Sequence, residues 1–135
     1  MFNEPLIIDF TPLDQFVADN IHQLVARGRM RLGPIMLYSR LAARRMGSSH
    51  GRTLDLADVE VDVEMQGRGA FGALLDHAEQ LALKNGLSVF VESIISEQVR
   101  KTLTRRGYEF MSVEGGSGWL THAELCRRYP EAAPR

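Results

Sequence analysis

Three carboxylates stand on alternate residues, Asp58, Glu60 and Asp62, with Val59, Val61 and Val63 interleaved. In an extended chain, residues two apart point to the same side. The spacing therefore puts the acids on one face and the valines on the other. Carboxylates in a partly buried cleft can take a proton from a reacting amine, directly or through water. The same residues also suit the solvated face of a strand, or pairing with arginines on its neighbour. A glycine turn follows at once, Gln66-Gly67-Arg68-Gly69-Ala70-Phe71. Beyond it Phe71, Leu74, Leu75, Ala78, Leu81 and Ala82 recur at helical spacing. A helix opening on a turn presents unpaired backbone N–H groups and the positive end of its dipole, which suit a phosphate.

Other chemistries find less support. The turn lacks the Gly-Lys-Ser/Thr of a P-loop, and Gly67-x-Gly69 lacks the third glycine of a dinucleotide fingerprint. His22, His50 and His77 have no ligand spacing. His122 and Cys126 lie four apart with no second pair, so no metal site is expected. Cys126 as a nucleophile would need an activating partner.

Leu6–Phe10 has a short strand pattern. Thr11-Pro12 starts a helix expected to run to about Arg27, with Gly28 ending it. Arg29 to Pro34 is a basic turn. Ile35–Arg45 alternates as a strand, although its Leu, Ala, Arg and Met also suit a helix; strand is preferred because Gly47–Gly51 is a loop and Arg52–Glu64 a second strand at hairpin spacing. The helix after the glycine turn ends at Asn85-Gly86. Leu87–Ile95 is mostly apolar and should be central, joined to the earlier strand by a right-handed parallel crossover. Ser96 caps a helix over Glu97–Arg106, ended by Gly107, and Tyr108–Val113 is a strand. Glu114–Gly118 reads as a flexible turn, Trp119-Leu120 as a short last strand, and His122–Tyr129 as a helix stopped by Pro130. The sum is an α/β chain built on a mixed sheet.

The 135 residues suit one domain over 1–135, with 44% hydrophobic and 24% charged residues. One cysteine excludes an internal disulfide and fits a reducing cytoplasm. No apolar run approaches a membrane span, and the first residues do not form a signal peptide. Basic residues cluster at Arg27–Arg31, Arg40–Arg45 and Arg100–Arg106, which on nucleic acid would give steep salt dependence. The net charge of -1 gives no general reason to expect that partner.

The strand, glycine turn and helix resemble the acyl-CoA-binding motif of the GNAT superfamily of N-acyltransferases, Gln/Arg-x-x-Gly-x-Gly/Ala. Five of six positions fit, with Phe71 where a small residue is usual. The likeness covers about Arg52 to Val113, and the rest implies a short member with a reduced N-terminal half. Its acceptor side would be open, or completed by a second subunit in a homodimer. The resemblance implies transfer of an acyl group, foremost acetyl, from acetyl-CoA to a primary amine by direct attack. Turn residues Gln66, Gly67, Arg68, Gly69, Ala70 and Phe71 would hold the CoA pyrophosphate. Val61, Val63 and Met65 would line the pantetheine, and backbone N–H groups there would polarise the thioester. Ser96 stands where the family commonly has Asn. Arg68, Arg100 or Lys101 would meet the 3′-phosphate side.

The same resemblance makes Glu60 the favoured base and Asp58 the next. Gly107-Tyr108 matches the family's Gly-Phe, but Leu103 stands where a tyrosine often protonates the departing thiolate. Tyr108, Tyr38 or water would then substitute. The acceptor could be a small amine, an aminoacyl group or a protein lysine. A competing expectation is a GNAT-shaped CoA-binding or assembly protein without turnover, favoured by Leu103, Phe71 and the short N-terminal half.

Overall fold

The computed structural model describes residues 6–94, 96–112 and 115–130. In chain order it has helix α1 (Thr11–Asn20) and strands β1 (Ala26–Leu32), β2 (Ile35–Met46) and β3 (Ser49–Val61). A 3-10 turn (Val63–Met65), helix α2 (Ala70–Asn85), strand β4 (Ser88–Ile94) and helix α3 (Glu97–Arg105) follow. Strands β5 (Glu109–Ser112) and β6 (Gly115–Leu120) and helix α4 (His122–Arg128) complete it. The six strands form one sheet in the order β1-β2-β3-β4-β6-β5. The β3–β4 pair, bridged by α2, is parallel. The other neighbours are antiparallel.

Side-chain alternation decides the two faces of this sheet. Ile35, Leu37 and Leu41 of β2, Leu54 and Leu56 of β3, and Val89 and Val91 of β4 point to one side. There they meet Leu13 and Val17 of α1, Leu74, Leu75 and Leu83 of α2, Leu103 of α3 and Leu125 of α4 in a single core. All four helices thus share one side of the sheet. On the other side Met46, Phe90 and Trp119 make a separate small cluster, and the Arg44 guanidinium lies 4.3 Å above the Phe90 ring.

Several elements depart from expectation, each for a local reason. Leu6–Phe10 is not a strand; Asp9 instead accepts from the Thr11 backbone N–H at 2.9 Å, and Phe10 takes the cap position of α1. The helix stops at Asn20, not near Arg27, and Leu24 and Val25 are 82% and 64% exposed. Their helical spacing therefore marks no buried face. Gly28 lies within β1, where an added Cβ would stand 3.1 Å from the Phe16 ring. That glycine lets α1 approach the sheet; it does not end a helix.

The expected basic turn is likewise a strand. On β1 Arg27, Arg29 and Arg31 are exposed while Gly28, Met30 and Leu32 turn inward. Only Gly33-Pro34 remains as the turn between the Leu32–Ile35 pair. The β2 strand forms as expected, and the second hairpin tightens to Gly47-Ser48 between Met46 and Ser49. β3 ends at Val61, so Asp62 lies outside it. The glycines Gly115, Gly116 and Gly118 belong to β6, not to a flexible turn, while Glu114 and Val113 lie outside the described residues. Gly118 is tightly fitted, because a Cβ would stand 3.1 Å from both the Glu109 carbonyl oxygen and the Phe110 ring, and those neighbours would have to give way.

Candidate active site

The β3–β4 pairing runs from Thr53–Ser88 to Leu56–Val91 and then stops. Both strands are irregular at that level. On β3, Ala57 has no counterpart between the Tyr38–Asp58 and Ser39–Leu56 pairs. On β4, the chain advances from Val91 to Ile94 while β6 advances only from Gly118 to Gly116. An extra residue bends a strand and increases its twist, so the two strands diverge from here. A slot of about 250 Å³ opens between them, lined by Leu56, Ala57, Asp58, Val59, Val91, Glu92 and Ile94. It is continuous, past Val59, Val61, Phe71, Ser96 and Val99, with a larger cleft of about 810 Å³.

One wall of the larger cleft is the glycine turn. Gly67 and Gly69 have φ of 78° and 85°, a region open to glycine at little cost. An added Cβ at Gly67, Gly69 or Gly72 meets nothing within 4 Å. None of the turn, loop and cap hydrogen bonds among the described residues is donated by Gly67, Gly69, Ala70, Phe71 or Gly72. The first helical bond at this end is Ala73 N–H to the Gly69 carbonyl, 2.9 Å. These amides and the α2 dipole therefore face the cleft as an anion-binding cradle. Phe71, half-buried, stands where the cleft and the slot join.

The opposite wall is α3. Ser96 caps it, its Oγ accepting from Val99 N–H at 3.4 Å, and Gln98, Val99, Thr102, Arg105 and Arg106 line the cleft. Gln98, Thr102 and Arg105 escaped the sequence reading, although their i, i+4, i+7 spacing marks one helical face. Arg106 is anchored between two acids, donating to Glu79 at 3.0 Å and to Asp76. Burial opposes its charge, but those two carboxylates outweigh burial and raise its pKa.

The residues singled out from sequence divide accordingly. Val61, Met65, Gln66, Gly67, Gly69, Ala70, Phe71 and Ser96 line the cleft. Val63 is 81% exposed and lies outside it. Arg68 is exposed, with its guanidinium 3.6 Å from the Met65 sulfur. Arg100 and Lys101 border a separate hollow, and Arg100 lies over the Phe110 ring. Asp58 lines the slot, whereas exposed Glu60 lines neither space. Asp62 pairs with Arg31 at 3.3 Å. The three acids thus do not converge.

The tyrosine positions differ from expectation as well. Tyr108 is buried in the core and its hydroxyl donates to Glu79 at 3.0 Å. Burial, reinforced by the Glu79 carboxylate, pushes its phenol well above the ordinary value. It lines neither the cleft nor the slot. Leu103 is fully buried, so its position presents no side chain to the cleft. Tyr38 lies on the helix-free face between the guanidinium groups of Arg29 and Arg40, 5.1 and 5.9 Å from its ring centroid.

Beneath the slot, four charges link β2, β3 and β4. Asp55 is fully buried; it accepts from Arg44 Nη2 at 2.6 Å and from Thr53 Oγ1 at 2.6 Å. Glu92 accepts from Arg44 at 3.0 Å and from Arg40. The Asp55 bond holds the Arg44 pKa above its usual value. Two cations thus balance two carboxylates where the strands separate, leaving Asp58 as a slot acid with no ion pair among the described residues. No group of three or more His, Cys, Asp or Glu among the described residues could hold a metal ion.

Neither a family model nor a curated protein sequence matches the chain. Solved structures do. A Tyr-to-Phe mutant of KacT matches with a TM-score of 0.52 and 15% identity, over 93% of this chain and 91% of that one. The AtaT toxin, solved with the C-terminus of the antitoxin AtaR and acetyl-CoA, matches with a TM-score of 0.50 and 16% identity. That match covers 70% of this chain and 64% of AtaT, so this chain spans less than two thirds of that toxin. AtaT complexed with acetyl-methionyl-tRNAfMet gives a TM-score of 0.50 at 16% identity, over 70% and 67% of the two chains. The fold is of the GNAT type. In this GNAT-type fold the mixed sheet, the parallel β3–β4 crossover and the glycine turn before α2 stand as expected from the sequence. No described helix is long and apolar enough to cross a membrane.

Proposed function

We propose that the chain is an acyl-CoA N-acyltransferase acting on a primary amine, with acetyl-CoA as the acyl donor. The observation that carries this reading is the cradle formed by the amides of Gly67, Gly69, Ala70, Phe71 and Gly72, which donate none of the turn, loop and cap bonds among the described residues, opening on a cleft that runs into the slot between β3 and β4. The cradle would take the diphosphate and the slot the pantetheine. Hydrogen bonds to a charged group contribute roughly 1.5–3 kcal/mol each, so three or four amides would dominate donor affinity. The acetyl-CoA seen with AtaT agrees with such a donor.

In the slot the amine nitrogen attacks the thioester carbonyl. A C–N bond forms, the C–S bond breaks, and the nitrogen's proton passes to Asp58 through water. β3 has no partner on its β4 side beyond Leu56, so alternate N–H groups there face the gap and suit the oxyanion. Asp58 replaces Glu60 as the preferred base because it borders the slot. No phenol takes the part of the acid, and water serves the thiolate. A thiol with a pKa of about 8.5 leaves tolerably well unassisted.

Isothermal calorimetry with acetyl-CoA tests the donor half, with micromolar binding expected. Absence of heat at millimolar ligand would end the proposal. The second reading, donor binding without turnover, is favoured by the core positions of Leu103 and Tyr108. It predicts acetyl-CoA binding with no acylation of any amine in a broad panel.

A further inference from the structure

We infer that Glu92 seats the acceptor, holding an alkylammonium group against Asp58 across the helix-free mouth of the slot. This rests on the acyltransfer reading and assigns the group that binds the acceptor's nitrogen.

Leu56–Val91 is the last pair of the β3–β4 ladder. The first charged side chains beyond it are Asp58 on β3 and Glu92 on β4, and both line the slot. Both belong to the helix-free face. Asp58 lies opposite Tyr38, and Glu92, next to the core residue Val91, meets Arg40 and Arg44 of β2. Paired strands are about 4.8 Å apart, and the divergence widens that distance here. Two carboxylates thus flank a gap whose other walls are apolar, at Leu56, Val59, Val91 and Ile94. Like charges set opposite each other on neighbouring strands are destabilising, so the arrangement suits a cation between them.

The bonds of Glu92 show which part of it is available. Arg40 and Arg44 both donate to Oε1. No hydrogen bond or ion pair among the described residues ends on Oε2, so that oxygen keeps its lone pairs for a ligand. Two guanidinium groups fix the carboxylate, and Arg44 is itself fixed by buried Asp55 at 2.6 Å. Charge agrees. Arg40 and Arg44 offset Asp55 and Glu92, so Asp58 leaves the mouth net negative. Arg29, on the outer strand, rests on the Tyr38 ring. An alkyl amine, titrating near 10.4 as lysine does, arrives as the ammonium at pH 7. One of its N–H groups donates to Glu92 Oε2, and one proton passes through water to Asp58. The neutral nitrogen, still held by Glu92, attacks the thioester carbonyl; the C–N bond forms and the C–S bond breaks. The second proton that the nitrogen gives up goes through water to the thiolate, so CoA leaves as the thiol. Asp58 returns its proton to solvent.

The test uses the full chain saturated with CoA, which carries no acyl group to transfer. NMR titration reads the binding of butylamine and of its neutral counterpart, butan-1-ol, at pH 7. The wild type should prefer butylamine. Glu92→Gln should weaken butylamine about 10- to 100-fold, the contribution of one charged hydrogen bond, and leave butanol within about twofold. Glu92→Asp, which keeps the charge but shortens the reach, should fall between. With acetyl-CoA as donor, Glu92→Gln should raise KM for butylamine by a similar factor and change kcat far less. Equal wild-type affinity for the amine and the alcohol overturns the inference. So does an equal loss of both ligands in Glu92→Gln, or a loss confined to kcat. If Glu92→Gln does not fold, Glu92→Asp decides alone, and wild-type affinity for butylamine in that variant overturns the inference. Selective butylamine binding that depends on Glu92, without acylation of any amine, supports this site and removes the acyltransfer reading. Failure of acetyl-CoA and CoA to bind removes both together.

Discussion

Ala57 is the extra residue of β3, and through it Asp58 and Glu60 share the face of Tyr38 and Met36. Were the same sequence to run as an unbulged strand, they would fall in phase with Leu54 and Leu56, toward the core. Asp58→Asn should lower kcat by about 10²–10⁴-fold, the usual contribution of a positioned proton acceptor, and leave the Kd for acetyl-CoA unchanged. Glu60→Gln should leave both nearly unaltered. Steady-state kinetics beside calorimetry separates the two residues. Tyr108 makes a different prediction, because its shift is a stability effect. Its folded-state pKa lies above its unfolded one, so the stabilisation is full below about pH 10. It is lost as pH rises through the folded value. Tyr108→Phe should cost about 1.5–3 kcal/mol at neutral pH, from the lost bond to Glu79. It should also flatten the alkaline decline in urea-unfolding free energy relative to the wild type. Acetyl-CoA affinity should not change.

Among the elements, the turn before α2 is the most exacting. Gly69→Glu would force a side chain onto a φ of 85° and put a carboxylate in the anion cradle. Because there is space for the new Cβ, the loss comes from backbone conformation and charge, not from a clash. Acetyl-CoA binding should weaken at least about 100-fold, equivalent to one or two charged hydrogen bonds, with a largely retained circular-dichroism spectrum. The junction of β2, β3 and β4 depends on its four balanced charges. Asp55→Asn leaves two guanidinium groups facing one carboxylate, and breaking such a buried pair typically costs about 3–5 kcal/mol. Chemical denaturation reads this directly. Cys126→Ala should be silent in both donor binding and turnover, since Cys126 packs at the core edge beside His122 on α4 and lines neither the cleft nor the slot.

At the scale of the molecule, the stretch from α2 to α3 was readable because local signals agreed with tertiary demands. The α2 pattern, the Ser96 cap, the apolar β4 run and the glycine stops at Gly86 and Gly107 each had one physical interpretation. The N-terminal third was misread where local signals had two. Gly28 looked like a helix stop but serves close packing against Phe16, and alternate arginines looked like a turn because a one-sided edge strand has no apolar stripe outward. The cleft was legible at the glycine turn, yet its α3 wall was missed because Gln98, Thr102 and Arg105 are ordinary surface types. The β3 irregularity did leave a trace. Apolar residues sit at Leu54 and Leu56, then at Val59 and Val61, a change of parity that can be counted.

That change of parity means the opening in the sheet depends on residue number more than on residue type. Exchanging Ala57 for another small residue would leave the count intact. Removing it would restore an unbroken rhythm with Val59 and Val61 in phase with Leu54 and Leu56, and favour zipping β3 onto β4. Variation that tunes this protein would therefore come by insertion and deletion at one position, a mutational route in which an aperture opens or shuts in a single step.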